Sequence, residues 1–324
     1  MSMTLKGIRK LQTAAVILYG AAFLLCLIIV LFQRPFVSIY TSDPGALALQ
    51  VFPWTSFIPL LVSLLAAVLF LVLCLSLKTA KGSRVSVIIL MIALYVFRYL
   101  ITPAVTSVYQ LTLNQYGTSY IVSFSAVTHA VSLFTSPLSL AGGLLMLLAM
   151  GGFYGYNPSE PEGRNAMTLK SARIIQAIAV CLLGLALLLC LALTACQNTV
   201  QRLFGAPDEI SRIRVIPWDI LIHLALISVP AVIWLIGLLK GKGNTRGIVI
   251  LTAILIGVFS LICLIIPTVI AIIYSRFYSV NTLAAYSSLQ GAVTMLTNPL
   301  SGAAVMLMLF SLGGFFSKER PAAV

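Results

Sequence analysis

The sequence predicts an all-α, polytopic integral membrane protein with eight transmembrane helices, arranged as a tandem 4+4 parallel repeat. Three observations predict it. First, 60% of the 324 residues are apolar and only 8% are charged, and the apolar residues fall in runs of about twenty, the length that spans a bilayer core. Second, the chain is written twice. Met3-Thr-Leu-Lys6 returns as Met167-Thr-Leu-Lys170, Pro53-Trp54 as Pro217-Trp218, Thr135-Ser-Pro-Leu-Ser139 as Thr297-Asn-Pro-Leu-Ser301, and Gly151-Gly-Phe153 as Gly313-Gly-Phe315. A repeat on this scale fixes architecture before any residue has a role. Third, the basic residues alternate between the ends of successive apolar runs, as the positive-inside rule requires.

Taken in order, the spans read as 11–32, 54–77, 85–105 and 137–153, then 174–194, 218–239, 247 to about 270, and 299–315. The first is too long for a signal peptide and lacks a small-residue cleavage site. Its internal counterpart, deep in the chain, cannot be one. Each copy has an even number of spans, and the intervening segment is short and polar, so both copies enter the membrane in the same direction. They are expected to be related by a pseudo-two-fold axis along the membrane normal. The organisation is therefore a first repeat over 1–153, a linker over 154–166 and a second repeat over 167–324. The linker is rich in turn formers, and Gly151-Gly152 and Gly313-Gly314 sit where a helix would end.

The formal charge of +13 follows from clusters placed on one side of the membrane: Lys6, Arg9 and Lys10; Lys78, Lys81 and Arg84; Arg164, Lys170 and Arg173; Lys240, Lys242 and Arg246; Lys318 and Arg320. This puts both termini and the linker in the cytoplasm of a cell-membrane protein. The basic clusters then face anionic lipid headgroups, and no nucleic-acid partner is implied. The outer side is mixed in sign, with Arg34, Arg202, Arg212, Arg214 and Arg276 against Asp43, Asp208, Glu209 and Asp219. Its first loop in each copy, 33–52 and 197–216, is long enough for a short interfacial helix. Pro53 and Pro217 then open the second span in a position where no intrahelical bond is lost, with Trp54 and Trp218 in the headgroup belt. Asp219 follows at that helix N-terminus, where unpaired amides stabilise a carboxylate.

The last part of each copy carries the most polar intramembrane residues. A single helix from 121 to 153 would be about 50 Å long at about 1.5 Å per residue, against a hydrocarbon core of roughly 30 Å. Pro137 and Pro299, preceded by Ser136 and Asn298 and then by Thr135 and Thr297, read as the starts of new helices. The expectation is a break or sharp kink at both prolines, facing a common axis. Before them lie Ser123, Ser125, Thr128, His129 and Ser132 in one copy, and Ser287, Ser288, Gln290 and Thr294 in the other. Interrupted helices at matching positions of two repeats point to a substrate site in transporter folds. A kinked helix that simply extends outward, its hydroxyls bonded to backbone carbonyls, accounts for the same residues.

Arg98 is the one basic residue well inside a span. Intramembrane cations are costly and often functional, though from this depth the side chain could also reach the outer headgroups. With Pro103 aligned to Pro267, its counterpart is the apolar Ile262. The six cysteines, Cys26, Cys74, Cys181, Cys190, Cys196 and Cys263, have no metal-ligand spacing and read as small packing residues. His129 and His223 are unmatched and lack companions for a metal centre, so no metal and no cofactor are implied. There is no nucleophile elbow, phosphate loop or carboxylate pair, and an enzyme is not expected.

Two function classes remain. One is a transporter or permease-like protein for a small neutral or anionic solute, or a lipid, bound at the repeat interface by Thr135, Ser136, Thr297 and Asn298, with Arg98 as an anion contact. The other is a non-catalytic accessory, sensor or assembly subunit.

Overall fold

The computed structural model describes residues 5–40, 44–76, 80–104, 118–154, 167–203, 208–240, 245–277 and 280–316. Among them the regular structure is helical, with no strand. The chain forms two compact units, Met1–Ala166 with Ser317–Val324, and Met167–Phe316.

In the first unit, α1 (Leu5–Leu31) is followed by two short helices, α2 (Gln33–Tyr40) and α3 (Pro44–Ala48), then α4 (Trp54–Ser76), α5 (Ala80–Val96) and α6 (Thr118–Tyr154). A π-helical turn, Phe97–Ile101, continues α5. α1 is the central element and packs most extensively on α6 and then on α4. Its buried face reads Ile8, Gln12, Ala15, Tyr19, Ala22, Cys26 and Ile29, alternating steps of four and three. In that heptad seam the small residues Ala15, Ala22 and Cys26 let helix backbones approach closely where lipid supplies no hydrophobic drive.

Two polar bonds fasten α1 to α4. Gln12 Nε2 donates to the Ala67 carbonyl at 2.6 Å, and Arg9 Nε donates to the Cys74 carbonyl at 3.0 Å, capping an otherwise orphaned carbonyl in the last turn of α4. The connection between α1 and α4 is closed by Gln33, whose Oε1 accepts from the Val51 amide at 3.0 Å. Beside that closure the rings of Phe52, Trp54, Phe57 and Phe23 stack in sequence, with centroids 4.3, 4.9 and 5.2 Å apart along Trp54–Phe52–Phe57–Phe23.

In the second unit, α7 (Leu169–Ala195) is followed by α8 (Gln197–Leu203), α9 (Asp208–Ser211), α10 (Trp218–Lys240), α11 (Thr245–Phe277) and α12 (Val280–Phe316). Thr168 caps α7, its hydroxyl accepting from the Ser171 amide at 3.1 Å, which gives the Met-Thr-Leu-Lys motif of this copy a structural role. α7 packs on α12 and α10 through Ala172, Gln176, Ala179, Leu183, Ala186 and Cys190, again in steps of four and three. Gln176 Nε2 donates to the Ala231 carbonyl at 2.7 Å. Arg173 Nε donates to the Leu238 carbonyl at 2.8 Å, and Gln197 Oε1 accepts from the Val215 amide at 3.1 Å. α10 meets α11 closely at Gly237, where an added Cβ would lie 2.7 Å from Ile248 Cγ2.

Seven of the described helices are long and apolar enough to cross a membrane: Leu5–Leu31, Trp54–Ser76, Val85–Ala104, Ala126–Tyr154, Leu169–Ala195, Trp218–Lys240 and Ser288–Gly314. The remaining expected span falls in α11, a helix of 33 residues whose apolar stretch among the searched residues is the shorter Gly247–Cys263. The protein is thus a polytopic, all-helical membrane protein in contact with the lipid bilayer.

Of the break or sharp kink expected at Pro137 and Pro299, the break is corrected. Both α6 and α12 are single helices of 37 residues that contain their prolines, about 55 Å long at about 1.5 Å per residue. Pro59 and Pro230 are likewise carried inside α4 and α10. A proline deletes one backbone bond and adds a clash one turn back, and in a membrane helix local adjustment and neighbouring hydroxyls absorb this.

Candidate functional site

The hydroxyls at the two proline segments face their own helices. Thr135 Oγ1 donates to the Val131 carbonyl at 2.7 Å and Thr297 Oγ1 to the Val293 carbonyl at 2.8 Å, and both residues are buried. Ser136 is half-buried and pairs with Ser132 at 3.2 Å, while its carbonyl accepts from Ser139 at 3.1 Å. Asn298 is half-buried, and its carbonyl accepts from Ser301 at 3.3 Å. The side chains of Ser125 and Ser287 lie outside the described residues. Thr135 and Ser136 stand on α6 of the first unit, and Thr297 and Asn298 on α12 of the second. Arg98 stands on the π-helical turn that follows α5.

Arg98 does not stand by itself. Its guanidinium faces the hydroxyl of Tyr19 on α1, which also faces Ser63 on α4, and its Cζ lies 6.0 Å from the centre of the Tyr99 ring. Gly143 on α6 makes the approach possible. A Cβ there would be 3.0 Å from Tyr19 Oη and 3.9 Å from Arg98 Nη1. At Gly142 a Cβ would meet the Tyr19 ring at 3.1 Å and the Ala15 carbonyl at 3.3 Å. Tyr19 Oη is buried with no hydrogen bond completed upon it, and Arg98 keeps an exposed face. Four elements thus bring a cation and two hydroxyls together inside the membrane-spanning part of the first unit.

The second unit is built differently at these positions. When the two halves are aligned on their matching motifs, Tyr19 falls against Leu183, Ser63 against Ile227, Arg98 against Ile262, Gly142 against Ala304 and Gly143 against Val305, so the polar group and its two glycines are replaced by apolar residues. Its own polar group centres on Asp219, only 6% exposed. The carboxylate accepts from the Tyr286 hydroxyl at 2.6 Å and from the Gln290 amide, both on α12, and His223 follows one helical turn on. The cap expected at Asp219 is therefore an inter-helix tie, both oxygens being taken by side chains of α12. The first unit has Thr55, Phe124 and Thr128 at the matching positions, and the hydroxyls of Thr55 and Thr128 are buried without partners.

A third group is the chain of buried bonds from Trp234 Nε1 to Ser311 Oγ at 2.9 Å and from Ser311 Oγ to Gln176 Oε1 at 3.2 Å. It leaves no face open to a ligand. Beside α2 and α3 an open groove of about 570 Å³ is lined by Phe32, Gln33, Arg34, Pro35 and Leu47 among others. Among the described residues no three His, Cys, Asp or Glu side chains gather closely enough to hold a metal, and the one salt bridge, Arg202 to Asp208 at 3.1 Å, is exposed and of small energetic weight.

Reasoning from sequence singled out Arg98 but not Tyr19, Ser63 or the glycine pair, and assigned Asp219 no partner on another helix. The signal was present in the repeat: these are positions at which one copy is polar, or is glycine, and the other is not. Comparison of the chain with models of known protein families, with curated proteins and with solved structures gives no significant match.

Proposed function

We propose that this protein is a transporter or permease-like membrane protein that binds and moves a small neutral or anionic solute, or a lipid. We propose further that it is a tandem duplication of four spans, eight in all, in the cell membrane with both termini cytoplasmic. The duplication is supported by bonds that recur at equal sequence separations. Gln12 to Ala67 and Gln176 to Ala231 are each 55 residues apart, Arg9 to Cys74 and Arg173 to Leu238 each 65, and Val51 to Gln33 and Val215 to Gln197 each 18.

The observation that carries the functional reading is Arg98, a cation inside a span, on a π-helical turn, with no carboxylate beside it among the described residues. Intramembrane charges are expensive, and π-bulges recur at functional sites. Ser136 and Asn298 are the secondary candidates for solute contact, since Thr135 and Thr297 already spend their hydroxyls on backbone carbonyls. That same internal satisfaction favours the accessory-subunit reading for the proline segments.

The test is reconstitution into sealed vesicles, with two readouts: electrogenic uptake of small anions under an imposed gradient, and exchange of fluorescent phosphatidylglycerol and phosphatidylcholine between leaflets. Uptake or exchange above protein-free vesicles, reduced in Arg98→Gln, is expected. Vesicles as tight as protein-free ones in both assays would replace this reading with the accessory one.

A further inference from the structure

We propose that Arg98, Tyr19 and Ser63 form a clamp for an oxyanion, a carboxylate or phosphate group, in the first unit. This deepens the reading above and names the chemistry of its ligand.

The first argument is electrostatic. No Asp or Glu occurs anywhere between Asp43 and Glu160, so the described part of the first unit contains no acidic residue at all. A cation buried in lipid without a counter-charge carries a large solvation cost, and among the described residues of the unit no carboxylate meets it. The second argument is directional. Arg98 lies six residues before Ala104, the end of its span, about 9 Å along the helix at about 1.5 Å per residue. Snorkelling would send it toward that end. Instead its guanidinium faces Tyr19, twelve residues from the end of α1 and so about 18 Å deep on the same scale, and the Tyr19 hydroxyl in turn faces Ser63 on α4. Side chains lean toward the N-terminus of their own helix, which for α5 is away from Ala104.

The third argument is construction. A fork of guanidinium donors beside two hydroxyls is the donor set that oxyanions take, and its Tyr19 member packs on Gly142 and Gly143, where an added Cβ would come within 3.0–3.2 Å of the ring and hydroxyl. In the second unit every one of these positions is apolar and the glycines are replaced by Ala304 and Val305. Packing alone is met by that apolar version. The first unit therefore carries five residue choices that serve a polar occupant together.

Two sources share this chemistry, the phosphate of an anionic phospholipid and a soluble carboxylate or phosphate. The experiment has one arm for each. The full chain, in a neutral maltoside detergent, is titrated with phosphatidylglycerol in one arm and with inorganic phosphate and acetate in the other, and the thermal midpoint is followed. Phosphatidylcholine serves as the zwitterionic control.

Wild type is expected to gain thermal stability saturably in one arm. Arg98→Gln should bind that anion about tenfold or more weakly and Tyr19→Phe a few-fold more weakly. Arg98→Lys should fall between, because the charge remains while the planar fork is lost. Saturation in the lipid arm alone identifies a headgroup, and in the phosphate or acetate arm a soluble anion.

No saturable shift in either arm overturns the clamp. So does a shift of the same affinity in Arg98→Gln, which would assign the anion to the cytoplasmic basic clusters. Should Arg98→Gln melt early without ligand, Tyr19→Phe, which removes one hydroxyl and keeps the ring, decides alone. An unchanged affinity there overturns the clamp. Anion binding that depends on Arg98, without any flux in vesicles, upholds the clamp and rejects transport. Flux in wild type with no Arg98-dependent binding rejects the clamp and leaves transport standing.

Discussion

Gln12 and Gln176 hold equivalent places in the two copies, and their replacement by methionine should have unequal effects. Methionine is close to glutamine in length and volume and has no strong hydrogen-bonding group, so the substitution isolates polarity. Gln12 makes one bond, to the Ala67 carbonyl, while its own Oε1 is buried without a partner. Gln12→Met loses that bond, at about 0.5–1.5 kcal/mol, and removes an orphaned acceptor whose burial costs about 1–3 kcal/mol. The sum is expected near zero or mildly stabilising. Gln176 donates to the Ala231 carbonyl and faces the Ser311 hydroxyl, whose single proton is shared between Gln176 Oε1 at 3.2 Å and the Met308 carbonyl at 2.8 Å, while Ser311 accepts from Trp234. Gln176→Met loses the first bond and a share of the second and removes no orphaned acceptor, for a destabilisation of about 0.5–2 kcal/mol. The difference corresponds to an unfolding constant about tenfold apart, one decade per roughly 1.4 kcal/mol. The assay is reversible unfolding in mixed micelles of increasing dodecyl sulfate fraction, followed by tryptophan fluorescence. Trp234 lies within the network and reports its loss. Equal effects of the two substitutions, or a larger loss for Gln12→Met, would refute the reasoning.

Three further outcomes are expected. Asp219→Leu should destabilise the second unit by about 2–4 kcal/mol, since it strands the Tyr286 hydroxyl and the Gln290 amide, and Asp219→Asn should recover part of this; the same micelle titration measures both. Gly142→Ala should cost about 1–3 kcal/mol because its Cβ meets the backbone carbonyl of Ala15 as well as the Tyr19 ring. Adding Tyr19→Leu, which reproduces the Leu183 and Ala304 pairing of the other copy, should restore part of it. For topology, Ser83→Cys in sealed cells should resist an impermeant thiol reagent added outside, and Ser42→Cys should react; labelling of Ser83→Cys from outside would reverse the orientation.

Membrane class and helical content were legible in composition and run length alone, because a bilayer admits few solutions for a chain this apolar. The short outer helices α2, α3, α8 and α9 fall within the two loops judged long enough to hold them. The choice between a broken helix and one carried through Pro137 and Pro299 was not legible. The sequence shows the missing amide, but whether a helix ends there depends on what surrounds it, and a long membrane helix retains all its other bonds. The partners of Asp219 and Arg98 were hidden for a different reason. Which residues of α12 meet α10, or of α1 meet α5, is set by helix register, and register leaves no mark in a single stretch of sequence. It becomes readable when two copies are laid together, since Leu183 against Tyr19 and Val305 against Gly143 are coordinated changes of one contact.

The span that carries Arg98 is the least enclosed of its unit. Only 11% of its most apolar window is buried, against 28–33% for the other three spans there. Such a helix has less packing to fix its tilt than its neighbours, so a mismatch with bilayer thickness is met there more readily by tilting. The α1–α6 pair, locked by its heptad seam, does not share that freedom. Thinning or thickening the membrane would therefore swing the guanidinium relative to a fixed Tyr19, so that bilayer mechanics, as well as solution composition, sets how closely the cation and the hydroxyl are held.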